Sequence, residues 1–254
     1  MLKSPKISII TVCYNSQSTI RHTIDSISGQ DYTNFEYIII DGASEDWTLR
    51  VLDFCKDKID VLISEVDDGI YNAMNKGIEI ATGNIIGILN SDDFYPNNHI
   101  LSKVAKVFVE SNCDCLYGDL VYVNKSDTSK VVRYWKSGNF NIKNFDKGWT
   151  LPHPTFFVKK SVYSKYGLYN TDLKTASDYE MILRLLYKHR LNVVYLPEIM
   201  VNMRMGGESN KSFWNRINAN KEDSLAWTKN KLTRPMFVRF KKPLQKLRQF
   251  FLKP

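Results

Sequence analysis

Asn90-Ser91-Asp92-Asp93 follows directly on the apolar run Ile85-Ile86-Gly87-Ile88-Leu89. Two adjacent carboxylates and an amide oxygen are hard donors that suit Mg²⁺ or Mn²⁺. A cation held there would neutralise a diphosphate that bare carboxylates repel. The same residues, closed by Pro96, are also ordinary turn formers. A third carboxylate, Asp178, stands in Ser177-Asp178-Tyr179-Glu180, ahead of a helical stripe of Met181, Ile182, Leu185 and Leu186. Ser177 and Glu180 have capping-box spacing, which predicts that Asp178 is fixed in a helix's first turn. His153 lies between Pro152 and Pro154, on a stiff segment, and its imidazole could bind a second, acceptor substrate or reach the metal or the diphosphate. His22, His99 and His189 read as surface or helix positions.

These residues need a scaffold, and the N-terminal half provides the pattern of one. Ile7–Val12, Tyr37–Ile40 and Val61–Ser64 are short, β-branched runs, as is the one from Ile85. Each ends in polar punctuation and is followed by a helical pattern, such as Ile20, Ile24 and Ile27 after the first. Strands alternating with helices predict a parallel sheet, and open α/β sheets bind ligands beyond the carboxyl ends of their strands. Four strand ends thus bring Thr11, Tyr14, Asp41, Asp67, Asp92 and Asp93 to one edge.

Five blocks carry a resemblance: Ser8–Asn15; Asp41-Gly42-Ala43-Ser44-Glu45-Asp46; Asp68–Gly77; Leu89–Asp93; and Ser177–Glu180. In order and spacing this series, running from about Ile7 to about Ser209, resembles the family 2 glycosyltransferases of bacterial capsule, O-antigen and exopolysaccharide synthesis. The resemblance implies an α/β GT-A fold, a Rossmann-like, mostly parallel sheet with flanking helices in a single catalytic domain. It also implies inverting transfer from a nucleotide diphosphate sugar, UDP-linked by expectation, to a lipid-linked glycan. Backbone groups at Thr11 and Val12, the ring of Tyr14 and the carboxylate of Asp41 would hold the base, and Asp67 would contact the nucleotide sugar. Asp41 would accept the uracil imide proton, which cytosine lacks. Asn90 stands where relatives commonly carry a first Asp, so it would bind ribose without adding charge, and Ser91 would contact the nucleotide sugar. Mn²⁺ or Mg²⁺ would be held by Asp92, with Asp93 as second ligand or as acceptor for sugar hydroxyls. Asp178 would be the general base, with Glu180 and Asp172 as alternatives. Met203–Ser209 resembles a mobile loop closing over the donor, from which Arg204 would clamp a phosphate, and Lys76 would reach the diphosphate from a helix beginning near Asp68.

Composition narrows the classes. The chain has 254 residues and is 43% hydrophobic, ample for one core, with no linker or repeat. Its four cysteines lack zinc-finger spacing and read as reduced thiols. Neither a signal peptide nor a membrane-spanning run is read, so the expected location is cytoplasmic. A dinucleotide-dependent oxidoreductase would want Gly-x-Gly-x-x-Gly after the first strand, where Cys13-Tyr14-Asn15-Ser16-Gln17-Ser18 stands. A nucleotidyltransferase would want a Gly/Arg-rich phosphate loop there. A net charge of +8 suggests a basic binding module, yet nine Lys or Arg and no acidic residue fall from Lys229 onward. The remainder, with 26 basic and 27 acidic residues, is nearly neutral, and no nucleic-acid partner is expected. The expected organisation is a catalytic domain over 1–228, its first 95 residues binding the nucleotide sugar and 96–228 the acceptor, and a basic amphipathic tail over 229–254. Leu244, Leu247 and Phe251 after Pro243, with Met236, Phe237 and Phe240 ahead, would dock that tail peripherally on the anionic inner face of the cytoplasmic membrane. Alternatively, the apolar face packs back on the domain or pairs with a second copy as a homodimer.

Overall fold

The computed structural model describes residues 4–206 and 213–235. Its order is β1 (Ile7–Cys13), α1 (Ile20–Ser28), β2 (Phe35–Asp41), α2 (Thr48–Phe54), β3 (Val61–Ser64), α3 (Ile70–Ile80), β4 (Ile85–Ile88) and α4 (Ile100–Ser111). There follow β5 (Cys115–Val123), β6 (Val131–Trp135), β7 (Phe157–Lys159), α5 (Lys160–Tyr166), α6 (Ser177–Ile182), β8 (Val193–Arg204) and α7 (Phe213–Lys229). One mixed sheet runs β3-β2-β1-β4-β7-β5-β6, with β8 on the other flank of β5.

β1 to β4 are mutually parallel. β1 and β4 are buried along their whole length, which is why they read as continuous apolar runs rather than alternating ones. Two cores follow from the strands' pleat. Ile10, Val12, Ile38 and Ile40 face α3, α6 and α7, whereas Ile7, Ile9 and Ile39 face α1, α2 and α4. α1 buries Ile20, Thr23, Ile24 and Ile27, one face at helical spacing. Close approach of α3 to the sheet needs Gly77, where a Cβ would lie 2.5 Å from Ile10 Cγ2.

β7 enters antiparallel between β4 and β5, and β5 pairs with β8 in parallel. This half was not visible in the strand–helix alternation, because β7 has only three residues and β8 finds its partner far back in the chain. The register of β1 with β4 stops at Ile10↔Ile88, while that with β2 continues to Cys13↔Asp41. Asp41 is therefore the last residue of a strand. Past α7 the chain stays packed: Asn230 is 2% exposed and donates to Glu180 at 2.9 Å, and Leu232 rests on the core. The apolar tail residues from Met236 onward lie outside the described residues. Among those described, no helix is long and apolar enough to cross a membrane, and all four cysteines are free thiols.

Candidate active site

The turns after β1, β2 and β4 are stitched together by polar side chains. Asn15, in the left-handed region at φ 49°, donates its N–H to Ser44 Oγ and accepts from Glu45 N at 2.9 Å through its Oδ1. Ser16 N donates to Thr48 Oγ1, and Ser16 Oγ meets Ser91 Oγ at 2.8 Å. Thr11 and Val12 have buried side chains, so they can meet a ligand only through their backbone.

Asp41 departs from expectation. It is fully buried, and both oxygens are taken: Oδ1 by the Ser44 hydroxyl and the Cys13 thiol, Oδ2 by Ser44 N at 3.0 Å and Ser64 Oγ at 2.7 Å. Burial, and next the Asp41 charge, push the Cys13 thiol well up from the usual range, so it stays a neutral donor. The reason for the correction is its strand position, which points the carboxylate into the turn it closes. The open acceptor nearby is Asp67. Its Oδ1 takes Gly69 N at 2.8 Å, and its Oδ2 lies 2.8 Å from where a Cβ on Gly42 would stand, with Tyr14 Cδ2 3.6 Å from the same point. The Tyr14 ring is 57% exposed. Gly42, Tyr14 and Asp67 thus form a slot with an aromatic wall and a carboxylate, open because residue 42 has no side chain.

After β4, Asp93 N closes a turn onto Asn90 O, and Thr23 Oγ1 from α1 donates to the carbonyls of Ser91 and Asp93. Asp92 is partly exposed, whereas Asp93 is wholly buried behind it. Burial raises the Asp92 carboxyl above the usual range. Burial and then the neighbouring Asp92 charge raise Asp93 much further. Asp93 Oδ2 accepts from Asn90 Nδ2 at 3.3 Å, while Asn90 Oδ1 and Asp93 Oδ1 are buried without a hydrogen-bond partner. Orphaned oxygens beside a partly exposed carboxylate fit a hard divalent cation. Among the described residues no group of three or more His, Cys, Asp or Glu forms a complete ligand cage. The set fits a cation that takes its other ligands from water and a phosphate-bearing substrate.

Arg204 and Lys76 also depart from expectation. Arg204 ends β8 and is 9% exposed: its guanidinium donates to the Asp92 carbonyl at 2.6 Å, meets His22 Nδ1 at 2.5 Å, and lies over the Phe94 ring. Phe94 and Asn202 exchange backbone hydrogen bonds, so strand pairing holds Arg204 under the carboxylate turn rather than in a closing loop. His22 stacks on Phe94 at 4.1 Å; burial, then the Arg204 charge, lower its basicity and keep it a neutral acceptor. Lys76 Nζ pairs with Glu65 at 2.7 Å and donates to Val66 O, tying down the turn after β3 instead of reaching toward Asp92.

Asp178 lies in the first turn of α6, but without the capping box. Ala176 is the N-cap, Ser177 Oγ is buried unpartnered, and Glu180 turns away to Arg184 and Asn230. Asp172 pairs with Lys229 at 2.6 Å, so neither alternative base shares the Asp178 surroundings. Asp178 Oδ2 meets His153 Nδ1 at 3.0 Å, and Oδ1 accepts from Tyr71 OH at 3.2 Å. Burial pushes this carboxyl up, but the His153 hydrogen bond and charge, the Tyr179 N–H and the Tyr71 hydroxyl together hold it below the usual range. α3 makes the junction. Tyr71 reaches Asp178, while Asn75, one turn on, exchanges two 2.9 Å hydrogen bonds with the Tyr169 backbone. Neither Tyr71 nor His22 stands out in the sequence as a site residue. An i, i+4 polar pair on a core-facing helix was a usable signal for Tyr71. His22 offered none, since its partner is 182 residues away.

The model of the family described as Glycosyl transferase family 2 matches residues 8–167. The chain belongs to glycosyltransferase family 2. Among curated members, a PGL/p-HBAD biosynthesis glycosyltransferase of Mycobacterium bovis is 25% identical over 225 residues, 85% of each chain. UDP-Glc:alpha-D-GlcNAc-diphosphoundecaprenol beta-1,3-glucosyltransferase WfgD of Escherichia coli is 31% identical over 121 residues, 47% of each chain. Similar solved folds include S. aureus TarS 1-349 in complex with UDP-GlcNAc, with a TM-score of 0.72 at 17% identity over 94% of this chain and 72% of that one. The mannosyltransferase PcManGT from Pyrobaculum calidifontis, in complex with GDP-Man and Mn2+, has a TM-score of 0.67 at 18% identity over 98% and 70%. These likenesses agree with the GT-A fold class and with a glycosyltransferase of bacterial surface-polysaccharide type.

Proposed function

We propose that this enzyme moves a sugar from a UDP-sugar to a lipid-linked glycan by a single inverting displacement. The observation that supports the reading is how the groups are tied together: Ser16 joins the turn after β1 to Ser91 in the Asn90–Asp93 turn, and Tyr71, at the start of α3 just past the Asp67–Gly69 turn of the Tyr14–Gly42–Asp67 slot, holds Asp178 of the Asp178–His153 pair. The uracil ring lies against Tyr14, and Asp67, rather than Asp41, accepts its imide proton. A base without that proton would leave two acceptors facing each other, which is costly in a confined slot. A divalent cation held by Asp92, with Asn90 and Asp93 beside it, would offset the diphosphate's charge and ease its departure as leaving group. Asn90 and Ser91 bind the ribose hydroxyls. Arg204 holds the Asp92 carbonyl, keeping the turn in the shape its carboxylate needs. The Asp178–His153 pair draws the proton from the acceptor hydroxyl as the new glycosidic bond forms. The lipid-linked acceptor is supported by the printed activity of the E. coli relative, and the basic apolar sequence beyond Met236 suits docking on an anionic membrane.

The test is a donor series. Thermal stabilisation by UDP, GDP, dTDP and CDP is compared with and without Mn²⁺, then UDP-sugars are offered with a diphospholipid-linked N-acetylglucosamine. UDP with Mn²⁺ is expected to stabilise most, and an α-linked donor to give a β-linked product by NMR. Preference for GDP, or a product that retains the donor's configuration, would overturn the reading.

A further inference from the structure

The backbone of α6 fixes where the Asp178 side chain starts but not where its oxygens point, because the terminal torsion of an Asp is broad. Hydrogen bonds must supply that direction. His153 Nδ1 meets Oδ2 at 3.0 Å, and the Tyr71 hydroxyl donates to Oδ1 at 3.2 Å, so each oxygen has its own side-chain partner. The Asp178 side chain remains 25% exposed, which leaves its other lone pairs open to a substrate hydroxyl. Tyr71 is the second residue of α3 and is 9% exposed. Its ring stacks on that of Tyr169, with centroids 5.7 Å apart and planes 20° from parallel. Tyr169 is in turn gripped by α3: Asn75 Nδ2 donates to its carbonyl and Asn75 Oδ1 accepts from its N–H, each at 2.9 Å. The phenol is thus braced by a ring whose backbone its own helix holds. The start of α3 is anchored on the nucleotide side. Asp67, four residues before Tyr71, accepts from Gly69 N at 2.8 Å, and the Gly69 carbonyl accepts from Asn72 N and Ala73 N. Burial, then the Asp178 charge, raise the Tyr71 phenol well above its usual range, so it stays a protonated donor.

We propose that Tyr71 is a positioning residue for the transfer: its hydroxyl sets the direction of the Asp178 carboxylate, from the same turn that presents Asp67 to the nucleotide. The inference rests on the transfer reading above and adds to it the residue that aims the carboxylate at the acceptor. Tyr71 touches no reacting atom and keeps its proton throughout. Without its hydroxyl, Asp178 has one side-chain partner left, and the freed oxygen swings about its soft torsion. The carboxylate then stands less often within hydrogen-bond reach of the acceptor hydroxyl, and a misplacement of about 1 Å is enough to cost on the order of 100-fold in rate. Nucleotide binding does not depend on that swing, because the Tyr14–Gly42–Asp67 slot is built without the Tyr71 hydroxyl.

The experiment uses Tyr71→Phe in the full chain, which keeps the ring and its stack and removes only the hydroxyl. With the best UDP-sugar donor, kcat should fall about tenfold or more, while UDP affinity by calorimetry and the donor KM stay within about twofold. Crystal structures of wild type and variant should show the Asp178 carboxylate in one direction in the first, and turned or in two conformers in the second. Tyr163→Phe is the control. It removes the hydroxyl of the next buried ring in the stack, 6.5 Å from Tyr169, and kcat should stay within about threefold. A smaller loss in Tyr71→Phe, an equal loss in Tyr163→Phe, a matching loss of UDP affinity or an unmoved Asp178 carboxylate overturns the proposal. If wild type transfers from no donor, the transfer reading fails, and the two crystal structures still decide whether Tyr71 directs the carboxylate.

Discussion

Asp41→Ala separates a structural carboxylate from a substrate-reading one. Truncation strands the backbone N–H of Ser44, which is 8% exposed, and removes the acceptor of the Ser44, Ser64 and Cys13 side chains. The two hydroxyls can turn to other partners, but the buried amide cannot. An unsatisfied buried donor costs about 1–3 kcal/mol, and a lost hydrogen bond to a charged group is of similar size, so a destabilisation of about 3 kcal/mol is expected. For a domain of this size that is a drop in Tm of roughly 6–12 °C. UDP affinity, measured by calorimetry well below the new Tm, should stay within about threefold of wild type, because the slot is formed by Tyr14, Gly42 and Asp67. Urea unfolding and a UDP titration on the same preparation test both halves. An unchanged Tm with UDP affinity lowered tenfold or more would refute the reasoning and return the base contact to Asp41.

Gly42→Ala should do the converse, because its Cβ would stand 2.8 Å from Asp67 Oδ2; UDP affinity should fall about tenfold or more while affinity for pyrophosphate holds. Asp92→Ala should abolish transfer and the Mn²⁺-dependent part of UDP stabilisation, yet leave Tm unchanged or raised, since it relieves a carboxylate that burial already disfavours. Arg204→Met leaves the Asp92 carbonyl and His22 Nδ1 without their donor, so thermal melts should show a loss of about 2 kcal/mol together with weakened metal-dependent UDP binding. Asp178 has a lowered folded pKa, so its stabilisation is fully present above the ordinary carboxylate range and is lost as pH falls through the lower folded value. Urea midpoints from pH 6 to pH 3 should therefore fall less steeply in Asp178→Asn than in wild type.

The sequence by itself determined the parallel half of this enzyme and the strand-end edge to which its polar residues come. Buried parallel strands must be apolar throughout, and their ends must turn in polar residues, so Ile7–Cys13 and Ile85–Ile88 could be read directly. With them came the strand-end positions of Tyr14, Asp67 and Asp92. Local patterns of this kind involve neighbours in the chain. What only the tertiary structure decided are pairings between distant residues: Arg204 with the Asp92 carbonyl, 112 positions apart, and Tyr71 with Asp178, 107 apart. Asp41 shows the same limit within a single motif. Its type and spacing suggest a ligand contact, but as the last residue of β2 it is buried, and Ser44 and Ser64 take up its carboxylate. Likewise Ser177 and Glu180 have the spacing of a cap, yet Asn230 and Arg184 offer Glu180 a buried partnership that no local pattern records. Sequence fixes which groups are available near each turn; packing of β8, α3 and α6 against the sheet decides which of them face one another.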